Sequence, residues 1–193
     1  MPADTHGFPE ATDTERLHLR RWQPEDRDAH AAIWADPDVF DSLRAGQPGD
    51  PAELAAEGFQ RHLRHWDQHG FGIWAAVDRS SEQIAGWIGA AHPTFIPELS
   101  EEIEIGWVLR RSFWGRGLAT EGALAAADAA SAHLAPERLI SLILPTNSRS
   151  IAVAERLGSR PAETVVHPDL GVELQVYELS SSSAASPQRF SSR

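Results

Sequence analysis

Several strand-like segments in succession, followed by a strand–helix–strand–helix alternation, predict an α+β fold rather than a doubly wound one. Two further observations agree. Leu139 to Leu144, apolar except at Ser141, is a strand of the kind buried on both faces. The glycine turn Gly115-Arg116-Gly117 leads from a strand into an alanine-rich helix. The 193 residues suit one compact domain. A chain of that length buries about 70% of its unfolded surface, so it needs no metal or disulfide staple.

Residues 1–13 read as a flexible N-terminus, 14–179 as the domain and 180–193 as a disordered serine-rich tail without apolar period. Leu17, Leu19 and Trp22 open a short strand, and Pro24-Glu25-Asp26 is a good helix start. A helix over Ala29 to Ala35 is expected to stop before Pro37. Pro51 in a first helical turn leads a longer helix, with Leu54, Phe59, Leu63 and Trp66 inward, ending at Gly70. Phe71 to Val77, Gln83 to Ala91 and Glu101 to Arg110 read as three strands. The alanine-rich helix spans Leu118 to His133 and ends before Pro136, and the apolar strand follows. Asn147 to Leu157 is a helix stopped by Gly158 at its C′ position. Val165-Val166 and Val172 to Leu179 close the domain as an antiparallel pair.

Composition excludes several chemistries. There is no cysteine, which removes disulfides, thiolate zinc sites and a cysteine acyl-enzyme together. There is no lysine either, since all 17 basic residues are arginine, so a P-loop and a Schiff-base enzyme both fall. A net charge of −11 argues against nonspecific binding to nucleic acid or membrane surfaces and suits ordinary solubility or a cationic partner. No apolar run reaches membrane-spanning length, and residues 1–15 lack the apolar core of a secretory signal, so a cytoplasmic protein is expected. No His, Asp and Glu spacing suggests a metal site.

Two segments carry chemistry. In the first, the strand Glu104 to Leu109 runs through Gly115-Arg116-Gly117 into a helix. Free N–H groups and the positive dipole end at a helix start bind phosphate oxygens, and glycines let them approach. A dinucleotide fingerprint would need glycine at position 120, where Thr120 stands. In the second, Asn147 directly after the buried strand is a good N-cap, and Ser150 follows one turn in.

Taken together, Gly115-Arg116-Gly117 opening a helix, a buried strand, then Asn147-x-x-Ser150 with Leu157-Gly158 resembles the GCN5-related N-acetyltransferase (GNAT) family. Thr14-Glu15-Arg16-Leu17, Ala119-Thr120-Glu121 and Val176-Tyr177-Glu178-Leu179 are similar to the branch that acetylates N-termini of ribosomal proteins. The resemblance implies a mixed, mostly antiparallel central sheet flanked by helices, with acetyl-CoA as co-substrate. It implies that Trp107, Val108 and Leu109 pair their backbone with the pantetheine arm and that Arg116, Gly117, Leu118, Ala119 and Thr120 hold the pyrophosphate, with Arg111 nearby. Asn147 would touch the arm from the other side, and Ser150 would sit near the sulfur. Three positions depart from the family: Ser112 replaces a Gln or Arg, Ser159 an aromatic, and Ala154 the tyrosine acid of many members. The last departure makes Ser150 the candidate acid.

The reaction requires a neutral amine and a stabilised oxyanion. A strand N–H, that of Val108, is the expected oxyanion donor. Without cysteine, direct attack in a ternary complex is expected. In Glu102-Ile103-Glu104-Ile105, alternation puts both carboxylates on one face. Glu104, nearer the Gly106 pivot, is the candidate base, direct or through water, and Glu102 a solvated residue. His92 and His167, in loops after strands, are candidates to handle the acceptor. Trp34 and Phe40 belong to the region that the family places over it. The expected activity is N-acetyl transfer to a small amine or a protein N-terminus, by a monomer or homodimer. The alternative is a catalytically silent acyl-CoA sensor, for which Glu104 and Ser150 would have no use.

Overall fold

The computed structural model describes residues 7–179. The expected tail at 180–193 and residues 1–6 lie outside that range. Eight strands form one sheet in the order β1-β2-β3-β4-β5-β6-β8-β7. In chain order they are β1 (Ala11–Asp13), β2 (Leu17–Arg20), β3 (Ile73–Asp78), β4 (Ile84–Ala91), β5 (Ile103–Leu109), β6 (Leu139–Ile143), β7 (Arg160–Val166) and β8 (Glu173–Leu179). Every neighbouring pair is antiparallel except β5 and β6. The helices are α1 (Arg27–Trp34), α2 (Pro37–Arg44), α3 (Pro51–His69), α4 (Leu118–His133) and α5 (Ser148–Arg156). The mixed, mostly antiparallel sheet flanked by helices is the architecture that the sequence predicts.

Two differences lie near the N-terminus. Phe8 is buried and stacks on Trp74 with centroids 4.9 Å apart, while β1 pairs with β2, so the ordered fold begins before residue 14. Pro37 starts a helix rather than only ending one. It occupies the first turn of α2, where the missing N–H costs nothing, and the Asp36 side chain caps the turn by accepting from Asp38 N at 3.0 Å. Strand β7 also begins earlier than the Val165-Val166 pair, at Arg160. It tolerates Pro161 because it is the sheet's outer strand.

The sheet has a core on each face. Leu17, Leu19, Trp74 and Ile88 meet the alanine face of α4 on one side. Trp22, Ile33, Trp34, Phe59 and Trp87 pack beneath α1 and α3 on the other. Glycine permits the closest approaches. A Cβ at Gly86 would run into the Val108 carbonyl, and one at Gly122 into Ile88, so β4 holds both β5 and α4 at contact distance.

The feature that shapes the site is the β5–β6 pair. It holds register only at Ile103↔Leu139 and Glu104↔Ile140. Beyond that point β5 stays with β4 to Leu109 and β6 stays with β8 to Ile143, and the two strands part.

The second core contains an aromatic nest around His30, which is fully buried, 5.1 Å from Trp22 and 4.9 Å from Trp87 between centroids. Neither ring nitrogen has a hydrogen-bond partner of good geometry. Burial, reinforced by nearby Arg61, pushes its pKa down to about 4. A folded value below the unfolded one means that the unfolded chain binds the extra proton first. His30 should therefore withdraw stability as pH falls from about 6.5 towards 4, on the order of 2 kcal/mol at pH 5. Urea unfolding at pH 7.5 and pH 5 should show His30→Phe losing less stability on acidification than the natural chain. Equal losses in the two proteins would remove His30 as the cause.

Candidate active site

Where β5 and β6 part, their facing edges lose their hydrogen-bond partners. Ser141 Oγ donates to Ile105 O at 2.7 Å, which bridges the first step of the gap. On the other edge of β5, Arg110 N donates to Ala85 O at 2.8 Å beside β4. Since backbone groups alternate sides along a strand, Val108 shares the β4 side with Arg110, whereas Ile105, Trp107 and Leu109 face the gap. This corrects the expected oxyanion donor. The Val108 N–H is turned into the sheet, and the N–H of Trp107 is the one presented to the cleft.

The gap opens into a cleft of about 1350 Å³ that runs from the start of α4, past the free edge of β5, to the face of α3 and the β7–β8 turn. At one end Gly117 caps α4 with φ +77°, a left-handed conformation that glycine adopts without strain. The first intrahelical bond there is Glu121 N to Gly117 O, so the N–H groups of Leu118, Ala119 and Thr120 remain free. All four residues from Gly117 to Thr120 line the cleft. Free N–H groups at a positive dipole end, with no Cβ at the cap, suit a diphosphate. The unpaired edge of β5 suits an extended amide-bearing arm.

The arginines are arranged differently from expectation. Arg116 turns its guanidinium away from the cleft, to Asp78 Oδ1 at 3.1 Å and over the Phe113 ring. Asp78 is buried and already gathers the Ser80 and Ser81 hydroxyls, so its negative charge captures the nearest arginine. Arg111 also stands outside the cleft, drawn into an ion pair with Asp38 of α2. The arginine that reaches the phosphate end is Arg16, which donates to the Arg116 carbonyl at 2.6 Å and lines the cleft. Glu121 holds it there through Arg16 Nε at 2.7 Å, and the same carboxylate accepts from Thr14 Oγ1 at 2.6 Å. The resemblance at Thr14-Glu15-Arg16 and at Glu121 thus reflects one clasp between the N-terminal strands and α4. Arg149 stacks over Trp114 at 4.3 Å on the same rim.

Asn147 and Ser150 lie on the opposite wall. Asn147 Oδ1 accepts from Ser150 N at 3.1 Å, the expected N-cap, which leaves its amide nitrogen available to the cleft. Ala154 is buried at the position where the tyrosine of many relatives would stand, and Tyr177 packs against it in the core rather than in the cleft.

Glu104 sits at the vertex where the strands part and lines the cleft. The cleft leaves it some solvent contact, but protein surrounds the carboxyl. Burial pushes its pKa up to about 7, against the opposing pull of the Leu142 N–H and the Arg61 charge. Glu102 behaves differently, pairing with Arg138 at 2.9 Å.

Trp34, His92 and His167 all line the far end of the cleft, as expected, whereas Phe40 stays behind Trp34 with centroids 6.4 Å apart. His92 Nδ1 bonds Glu102 O at 2.9 Å, which places the proton on Nδ1, and its backbone N–H donates to His65 Nε2 at 3.0 Å. His65 in turn bonds Phe71 O through Nδ1 at 2.8 Å, and burial pushes its pKa down to about 4. Among the described residues no cluster of His, Asp and Glu suits a metal ion. No described helix is long and apolar enough to cross a membrane.

A parted β-pair above a glycine-capped helix start defines an acyl-coenzyme A transferase fold, and comparison with known proteins agrees. Residues 16–160 match the model of the acetyltransferase (GNAT) domain, so the chain belongs to the GNAT family and is an acetyl-CoA-dependent acyltransferase. It is 31% identical to the acetyltransferase from Agrobacterium tumefaciens str. C58, whose crystal structure superposes with a TM-score of 0.74, covering 90% of this chain and 95% of that one. It is 28% identical to the uncharacterized protein YkkB of Bacillus subtilis (strain 168), over 79% of this chain and 86% of that protein. It is 26% identical to the uncharacterized N-acetyltransferase p20 of Bacillus licheniformis, over 75% and 79% respectively.

Thermal unfolding tests the cofactor end. Acetyl-CoA at a hundredfold excess over its dissociation constant should add ~2.7 kcal/mol. For a chain of this length that is roughly 5–11 °C in Tm. NAD and ATP should give much smaller shifts. Gly117→Val places a branched side chain at a left-handed position facing the phosphates, so the folded variant should lose most of the acetyl-CoA shift. An undiminished shift in that variant would put the diphosphate elsewhere.

Proposed function

We propose that the protein transfers an acetyl group from acetyl-CoA to a primary amine by direct attack within a ternary complex. The observation that carries this reading is Glu104. It is a carboxyl held near neutral pKa at the vertex of the cleft, where the pantetheine arm and the acceptor would meet. A base matched to the operating pH is the most effective one.

The acceptor arrives as an ammonium ion, and Glu104 takes its proton, directly or through one water. The amine nitrogen then bonds to the thioester carbonyl carbon. The N–H of Trp107, facing the gap, donates to the oxygen as it gains charge. As the tetrahedral centre collapses the carbon–sulfur bond breaks, the Ser150 hydroxyl donates its proton to the departing sulfur and takes up the extra proton of the nitrogen, and Glu104 returns its own proton to solvent. Asn147, whose carbonyl is fixed by the helix cap, offers its amide to the arm. Leu118, Ala119 and Thr120 hold the diphosphate through their N–H groups, with Arg16 beside them. His92 and His167 form the acceptor wall with Trp34.

Turnover should rise with pH through about 7 as the Glu104 carboxylate forms, because that ionised state is the active base. Glu104→Gln should lower turnover roughly 10²–10⁴-fold and abolish this acidic limb. The variant should recover rate at high pH, where the amine is already neutral. Ser150→Ala should also slow turnover, with acetyl-CoA binding nearly intact and no recovery at high pH. Steady-state thiol release across pH measures both. Natural turnover in both variants would leave positioning alone as the source of catalysis.

A further inference from the structure

The acceptor end contains a cation that the reaction as written does not use. Leu54, Glu57, Arg61 and His65 follow one another at helical spacing on α3 and present one face to the cleft. Arg61 makes no hydrogen bond and no ion pair with any described residue. Glu57, one turn earlier at a spacing that favours pairing, does not close on it. The side chain stays open to solvent through the cleft, yet enough protein surrounds the guanidinium that burial lowers its pKa. The guanidinium keeps its charge at any working pH. A cleft-facing guanidinium with no fixed partner is solvated by water and free to exchange that water for a ligand's anion. The fixed charges that act on it, Glu104 and Glu57 with the like charge of Arg64 against them, do so only through space.

Glu104 suits an ammonium group beside it, and Arg61 is free to take an anion. A single molecule carrying both signs satisfies the two at once. A polyamine would set a second cation against Arg61, and an internal peptide segment brings no anion to it. We propose that Arg61 anchors a carboxylate of the acceptor, and that the acceptor is therefore amino-acid-like, a primary amine with a carboxylate a few bonds away. Arginine suits this task because its planar fork meets a carboxylate with two parallel hydrogen bonds. Glu57 on the same face limits the anionic charge that the site accepts, which favours one carboxylate over a polyanion. This inference rests on the reading of the far end of the cleft as the acceptor site.

The test compares free amino acids, taken one by one, with their carboxamides, which differ only at the carboxylate. In thiol-release assays the preferred acid should have a KM about 10–100-fold below that of its amide, the range of one charged hydrogen-bonded contact. Arg61→Met should erase that ratio by raising the KM of the acid while leaving that of the amide. Arg61→Lys should restore part of it. Calorimetric titration of the same pairs into CoA-loaded protein reads the contact without turnover. Tighter binding of the acid, lost in Arg61→Met, supports the inference even if no acetyl transfer is seen, and that combination would count against the Glu104 mechanism alone. Equal binding of acid and amide to the natural protein, absent binding of both, or preferential use of polyamines overturns it.

Discussion

The parting of β5 from β6 is the constraint on which the rest of the structure depends. Two residue pairs hold these parallel strands together, at Ile103↔Leu139 and Glu104↔Ile140. Each strand then follows its other neighbour. A buried sheet does not normally leave backbone groups unpaired. The open edge is stable because each strand keeps a full ladder on its far side, and because Ser141 covers the Ile105 carbonyl at the vertex. What remains unpaired on β5 faces a channel with room for a ligand. The placement of Glu104 follows from this geometry, since this last paired residue stands at the vertex from which the channel opens. The glycines of β4 and α4 matter for the same reason. With Gly86 and Gly122 lacking side chains, β4 grips β5 and α4 at once, and the helix start is aligned with the strand's open edge.

Charge is distributed against the global average. The chain carries a net −11, yet the phosphate end of the cleft gathers Arg16, Arg149 and a helix dipole. Two carboxylates organise that end, Asp78 from outside the cleft and Glu121 from its wall. Asp78 restrains Arg116, and Glu121 restrains Arg16. At the opposite end the buried histidines are kept neutral by their surroundings, so the charges that line the cleft beside α3 are those of Glu57, Arg61 and Glu104.

Much of this was legible in the sequence. Helix α4 is found at the predicted residues, because an alanine-rich periodic run bounded by a glycine turn and a proline leaves little choice. Glu104, Asn147, Ser150 and the 117–120 segment, singled out by strand alternation, cap signals and the family resemblance, line one cleft. The losses have physical causes. Helix α2 was hidden because Pro37 is equally good as a stop and as a first-turn residue. Phe8 is a lone apolar residue in a polar stretch, with no period to reveal that it enters the core. Arg111 and Arg116 were drawn off by Asp38 and Asp78, partners more than thirty residues away that no local pattern connects to them. The choice between Val108 and Trp107 depends on the parity of pairing with β4, which a single strand does not carry. The stripe Glu57, Arg61 and His65 is visible as spacing, but only tertiary packing says that it faces the cleft.

The tryptophans divide the molecule in an optical sense. Of the seven, Trp107 and Trp114 line the cleft on the side of the α4 start, and Trp34 and Trp87 line it on the side of α3, while Trp22, Trp66 and Trp74 belong to the interior. The Trp114 indole is fixed by a bond to Leu109 O at 2.7 Å and covered by Arg149, so its emission depends on whether that guanidinium stays in place. Occupation of the far end would alter Trp34 and Trp87 instead. The two ends of the cleft thus carry separate intrinsic fluorophores, against a background of three indoles that lie outside it.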